Sequence, residues 1–204
     1  MKIITVSREF GSGGREIAKR LSDVLGIAYY DSEIITEIAK KADLDENYVA
    51  HSLEKGIQPT FQIHFACAFS HISAPDPTVK LLAAQNNIIN ELAERGDCII
   101  VGRAADVLLE KYDPFRIFVY ADMESKIARC RKRAGDSKLT DKEIEKKIKQ
   151  IDKGRASSYN MISSTDWGDK RGYDLCVNTT NMNIKEITPF IAEYAKQWFK
   201  DKQV

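Results

Sequence analysis

The chain is poor in the residues that build disulfide and metal frameworks. Four cysteines, Cys67, Cys98, Cys130 and Cys176, are scattered over 204 residues without a C-x-x-C pair, and the three histidines, His51, His64 and His71, form no ladder with them. This spacing excludes a disulfide-stapled scaffold and matches no zinc pattern, so the cysteines read as reduced, mostly core residues. An excess of either charge is also absent: 31 basic residues oppose 30 acidic ones, for a net charge of +1. Such a balance leaves no polybasic footprint for nucleic acid. No apolar run approaches the roughly 20 residues a membrane helix needs, and no signal-peptide pattern opens the sequence. The expectation is one soluble, cytoplasmic domain with no nucleic-acid or membrane partner.

Glycine, uncommon elsewhere, is concentrated near the start. The apolar run Ile3-Ile4-Thr5-Val6 leads into Gly11-Ser12-Gly13-Gly14-Arg15-Glu16, after which Ile17, Leu21 and Leu25 fall at helical spacing. Strand, glycine-rich turn and helix in this order form a phosphate cradle: glycines let backbone N–H groups turn inward, and the helix adds unpaired N-terminal donors and its positive dipole end. The phosphate-loop pattern G-x-x-x-x-G-K-[ST] is matched only in part. With Gly13 as its last loop glycine, Gly14 stands where the lysine belongs, Arg15 follows it, and Arg8 stands where the first glycine belongs. An arginine fork suits phosphate oxygens, so Arg15 is the expected substitute for the lysine, with Lys19 one helical turn further as a weaker one. The alternative is a tight turn whose glycines serve geometry alone.

Further strands are expected at 27–30, 98–101, 116–120 and 175–177, with helices at about 79–95 and from Ile184 onward. Strands separated by helices indicate a parallel sheet covered on both faces, with ligands beyond the strands' carboxyl ends. Three features converge on that rim: the loop after Val6, Gly102-Arg103 after Val101, and Asn178-Thr179-Thr180 after Val177. The stretch 43–78 is irregular, aromatic and broken by Pro59, Pro75 and Pro77, and reads as an inserted helical lobe. In the charged segment 129–160, Thr140-x-x-Glu143 is a capping-box pattern and Ile144, Ile148 and Ile151 make an apolar stripe. Arginines and lysines crowd its opening side and Asp152-Lys153-Gly154-Arg155 closes it, as expected of a lid folding over phosphates.

The order Ser7-Arg8-Glu9-Phe10-Gly11-Ser12-Gly13-Gly14-Arg15-Glu16-Ile17, Tyr30-Asp31, Ile100-Val101-Gly102-Arg103, Asp152-Lys153-Gly154-Arg155-Ala156-Ser157-Ser158-Tyr159 and Tyr173-Asp174-Leu175-Cys176-Val177-Asn178 resembles the cytidylate kinase-like proteins over nearly the whole chain. The resemblance implies an α/β, three-layer P-loop NTPase fold: a parallel sheet flanked by helices (core about 1–42, 79–128 and 161–204), a helical acceptor-binding insert (about 43–78) and an arginine-bearing lid (about 129–160). Gly11, Ser12, Gly13, Gly14, Arg15 and Glu16 would surround the donor phosphates, with Asn178 and Thr179 near the donor base. Asp31, Ser32 and Arg103 would meet the acceptor. Arg129 and Arg133 would open the lid, Asp152 and Arg155 close it, and Glu16 would be the candidate Mg²⁺ ligand.

Some positions depart from the family's pattern. The aspartate that follows the acceptor arginine in true cytidylate kinases is Ala104 here, and their acceptor arginine after Asp31-Ser32 is replaced by a run ending in Glu37, whose charge repels a phosphate. The expected activity is an ATP- and Mg²⁺-dependent transfer of the γ-phosphoryl to a small phosphorylated acceptor such as a nucleoside monophosphate. Two other readings stay open: a non-catalytic nucleotide sensor, and an interaction protein that forms a homo-oligomer through the aromatic 61–71 segment.

Overall fold

The computed structural model describes residues 1–47, 49–50, 77–132 and 138–202. Five strands form one parallel sheet: β1 (Ile3–Arg8), β2 (Ala28–Tyr30), β3 (Cys98–Val101), β4 (Phe115–Tyr120) and β5 (Leu175–Asn178), in the spatial order β2-β3-β1-β4-β5. Among the described residues the α-helices are α1 (Gly14–Leu25), α2 (Glu33–Ala42), α3 (Pro77–Glu94), α4 (Ala105–Leu108), α5 (Met123–Arg131), α6 (Asp141–Asn160) and α7 (Ile184–Asp201). The central strand β1 pairs with β3 on one side, Val6 opposite Val101, and with β4 on the other, Val6 opposite Ile117.

Successive side chains of a strand point to opposite faces, and here both faces are apolar. Ile3, Cys98 and Ile100 pack with Ile34, Ile38, Leu81 and Ile89 from α2 and α3. Their neighbours Ile4, Val6, Ile99 and Val101 turn the other way, onto Ile17 and Leu21 of α1 and Ile191 and Ala195 of α7. The result is a three-layer α/β fold, as the alternation of strands and helices predicts. β5, at the sheet edge, alternates half-buried and exposed residues, and Cys176 is exposed there, whereas Cys98 and Cys130 are buried.

α5 and α6 pack against each other through Cys130, Ile144 and Ile148. Asp122 caps α5 by accepting from the Ser125 N–H, and Thr140 with Glu143 closes a reciprocal capping box on α6. Ile144 and Ile148 are fully buried with Cys130, against Phe10 of the glycine-rich loop, while Ile151 is only half-buried. The pair therefore rests on that loop. Most of the expected insert, including Cys67 and the three histidines, and Arg133 in the lid lie outside the described residues.

Candidate active site

The turn from β1 into α1 needs glycine at two points for steric reasons. Gly11 (φ 82°) and Gly13 (φ 87°) are left-handed. A Cβ on Gly11 would lie 3.0 Å from the Lys126 carbonyl oxygen, and one on Gly13 would lie 2.7 Å from Ile184 Cδ1. Hydrogen bonds fix the remaining shape: the Ser12 hydroxyl donates to the Glu9 carbonyl (2.8 Å), and the buried Thr179 hydroxyl donates to the Ser12 carbonyl (2.7 Å). Gly13, the N-cap of α1, supplies no side-chain cap. The first turn of α1 thus presents a helix N-terminus suited to an anion.

Arg8, Arg15, Arg103 and Arg155 line one cleft together with Gly13 and Gly14. They come from four places in the chain: the end of β1, the first turn of α1, the turn after β3, and α6. Asp31, after β2, organises two of them. Its carboxylate pairs with Arg15 Nε, lies 3.7 Å from Arg8 Nη2, and accepts from the Tyr29 hydroxyl at 3.1 Å. Burial, reinforced by the adjacent Asp31 charge, pushes the Tyr29 hydroxyl far up, so it remains a protonated donor. Arg155 donates to the Arg8 carbonyl (3.0 Å), with its guanidinium carbon 5.6 Å from the centre of the Phe10 ring.

Arg103 is held in an uncommon backbone conformation. Gly102, Arg103 and Ala104 are all left-handed, with φ of 69°, 59° and 49°. Non-glycine residues in this region store strain that their surroundings must hold in place. Part of that hold is Gln85, whose Nε2 donates to the Arg103 carbonyl at 3.0 Å.

Beneath the loop lies a buried ion cluster. Lys126 of α5, with a side chain 6% exposed, donates to Glu9 (3.1 Å) and to Asp152 (3.2 Å). Asp152 uses its other oxygen to accept the Phe10 N–H at 2.7 Å. Burial raises the Asp152 pKa even though Phe10, Lys126 and Arg155 all favour its charged form. One Asp152 oxygen ties α6 to the loop and the other ties it to α5, so both are engaged in holding these elements together.

The other expected residues are spread around this centre. Arg129 reaches the Gly11 carbonyl (3.5 Å) and the carbonyls of Thr179 and Met182, joining the loop to the turn after β5; burial lowers its pKa. Glu16 accepts from Arg20 at 2.8 Å on the α1 surface. Ser32 lines the arginine cleft at the start of α2. Asn178 accepts from the Thr180 N–H at 3.0 Å, stabilising its own turn. Among the described residues no group of three or more His, Cys, Asp or Glu side chains could hold a metal ion.

A second recess adjoins the first and shares Arg8, Arg103 and Arg155 with it, adding Gln85, Ser158 and Trp167. Gln85 Oε1 and Ser158 Oγ are buried and have no hydrogen-bond partner among the described residues. Buried polar atoms are normally paired, so two orphans in one recess point to a ligand or water. Behind it the Tyr159 hydroxyl donates to buried Asp106 at 2.8 Å.

Three participants stand outside the expected set. Lys126 had one signal: it lies four residues before Cys130, on the helical face that Cys130 buries. Arg8 was visible as a misfit to the phosphate-loop pattern and as part of the motif that carries the family resemblance, without a role assigned to it. Gln85 had no sequence signal, being one polar residue on a helix whose other face is apolar.

A solved structure of an uncharacterized protein from Eubacterium ventriosum superposes with a TM-score of 0.70 at 26% identity, covering 96% of this chain and 99% of the other. Shikimate kinase from Bacteroides thetaiotaomicron shares the fold, with a TM-score of 0.56 at 15% identity over 96% of this chain and 98% of that enzyme. The fold is that of the P-loop kinases. A cytidylate kinase of Methanopyrus kandleri is 26% identical over 194 residues, 90% of this chain and 88% of its own. The family model described as the cytidylate kinase-like family matches residues 3–181, and the chain belongs to that family.

Proposed function

We propose that the protein is a nucleotide kinase that moves the γ-phosphoryl of ATP to a small phosphorylated acceptor, of which a nucleoside monophosphate is the leading example. The observation that carries this reading is the convergence of four arginines on one cleft at an uncapped helix N-terminus. Phosphoryl transfer needs positioning and neutralisation of charge more than covalent chemistry, and arginine forks with backbone donors supply both.

The loop from Gly11 to Gly14 and the first turn of α1 fit the phosphates of ATP, which supplies the transferable phosphoryl group. Glu16 is proposed to hold Mg²⁺, with phosphate oxygens and water completing its shell, as is usual for that ion. Arg103 and Arg155 stand where the two recesses meet and are assigned to the phosphate shared between donor and acceptor. Gln85 and Ser158 are assigned to hydroxyl or amide groups of the acceptor. Asp152 and Arg129 hold the loop from below.

The relatives' names support phosphotransfer. In the test, transfer is followed by ADP release while ATP and acceptor are varied separately. Arg103→Ala is expected to raise the acceptor KM more than the ATP KM. An equal change in both rejects the assignment of Arg103 to the acceptor side.

A further inference from the structure

In the phosphate-loop pattern the first glycine and the lysine lie six positions apart; here those positions hold Arg8 and Gly14. The structure places both residues in contact. A Cβ built on Gly14 would lie 2.6 Å from Arg8 Cβ and 3.1 Å from Arg8 Cγ. The two positions therefore share room for one side chain: while the arginine stem crosses residue 14, no lysine fits there. From Gly14 the side chain runs on to Gly102, where a Cβ would lie 1.7 Å from Arg8 Nη1. Its guanidinium thus ends in the arginine cleft, between the loop and Arg103, and contributes to both recesses.

We infer that glycine and cation have exchanged places, and that Arg8 supplies the positive charge which the lysine supplies in ordinary phosphate loops. This inference rests on the phosphotransferase reading above. It moves the role expected of Arg15 to a different residue. The Arg15 side chain is 63% exposed, against 13% for Arg8. A charge held out of water interacts more strongly with a phosphate, and the planar guanidinium fork matches the geometry of phosphate oxygens. Gly102, left-handed at φ 69°, leaves its Cβ position to the arginine head group.

The test measures binding of inorganic tripolyphosphate and of Mg-ATP by calorimetry, with a thermal melt on every variant. Arg8→Ala is expected to weaken both by roughly tenfold or more, the scale of a charge-assisted hydrogen bond. Arg15→Ala should change them less. Gly14→Lys alone should lower the melting temperature, because its side chain meets the Arg8 stem. The double variant Arg8→Gly/Gly14→Lys restores the ordinary order and is expected to fold and to recover most of the affinity lost in Arg8→Ala, which a purely structural role for Arg8 would not produce. Should Arg8→Ala fail to fold, the double variant still decides, since it too lacks Arg8.

Unchanged binding in Arg8→Ala, or a double variant that fails to fold or binds no better than Arg8→Ala, overturns the exchange and leaves the kinase reading standing. A wild-type protein that binds neither probe overturns both.

Discussion

Replacing Lys126 with methionine keeps the length of the side chain and removes its charge, which isolates what the buried ion cluster contributes. In the native protein the ammonium is held between Glu9 and Asp152, at 3.1 and 3.2 Å, and the two carboxylates are 27% and 15% exposed. Removing one partner from a buried ion pair costs about 3–5 kcal/mol, because the remaining charge is left uncompensated. Partial access of water to Glu9 places the expected loss at the lower end. For a domain of this size each kcal/mol moves the melting temperature by about 2–4 °C, so a fall of about 6–12 °C is expected at pH 7.

The pH dependence separates charge from packing. Burial already raises the Asp152 pKa, and loss of Lys126 raises it further. A carboxylate whose folded pKa lies above its unfolded value of about 3.9 binds more protons in the folded state, so stability falls as pH rises through that interval. The deficit of Lys126→Met should therefore be greatest at neutral pH and shrink toward pH 4. Adding Asp152→Asn, which retains an acceptor for the Phe10 N–H, should recover part of it at pH 7. Urea denaturation across pH reads all three effects. An unchanged melting temperature at pH 7, or a deficit independent of pH, would refute the argument.

Two more predictions test separate parts of the site. Asp106 is buried beside Tyr159, one of its oxygens has no partner among the described residues, and burial raises its pKa. Its ionised form is penalised as pH rises through the raised value, so Asp106→Asn should flatten the stability profile between pH 4 and pH 8 and preserve or raise the melting temperature at pH 8; a loss larger at pH 8 than at pH 5 would contradict this. Thr179→Val removes the donor to the Ser12 carbonyl and should lower stability by about 1–2 kcal/mol in urea denaturation, while an unaltered midpoint would show that this bond does not hold the loop.

The sheet was legible because each strand is short, apolar and bounded by a turn, and its alternation sent Ile3 and Ile4 to opposite layers as the period requires. Helix α6 was legible from its capping box and from Ile144 and Ile148, both fully buried, while Ile151 is only half-buried. The meeting of Arg103 with the glycine loop followed from parallel topology, which gathers strand ends on one rim, whereas Arg155 reaches it from α6. Local spacing could not reveal the side chains that act across the fold. Lys126 meets Glu9 across 117 positions of sequence, and Arg8 meets Gly102 only because β1 and β3 are neighbours in the sheet. Arg15 stood out in the sequence through its place after Gly14, but its pairing with Asp31 and its exposure are set by the fold.

The most direct test of the account is acceptor-dependent ADP release from Mg-ATP, measured against a panel of nucleoside and sugar monophosphates. Turnover is expected with one class of acceptor and is lost when Arg103 or Arg155 is replaced by alanine. Tight ATP binding with no release in the presence of any phosphorylated acceptor would contradict it and make the protein a nucleotide sensor.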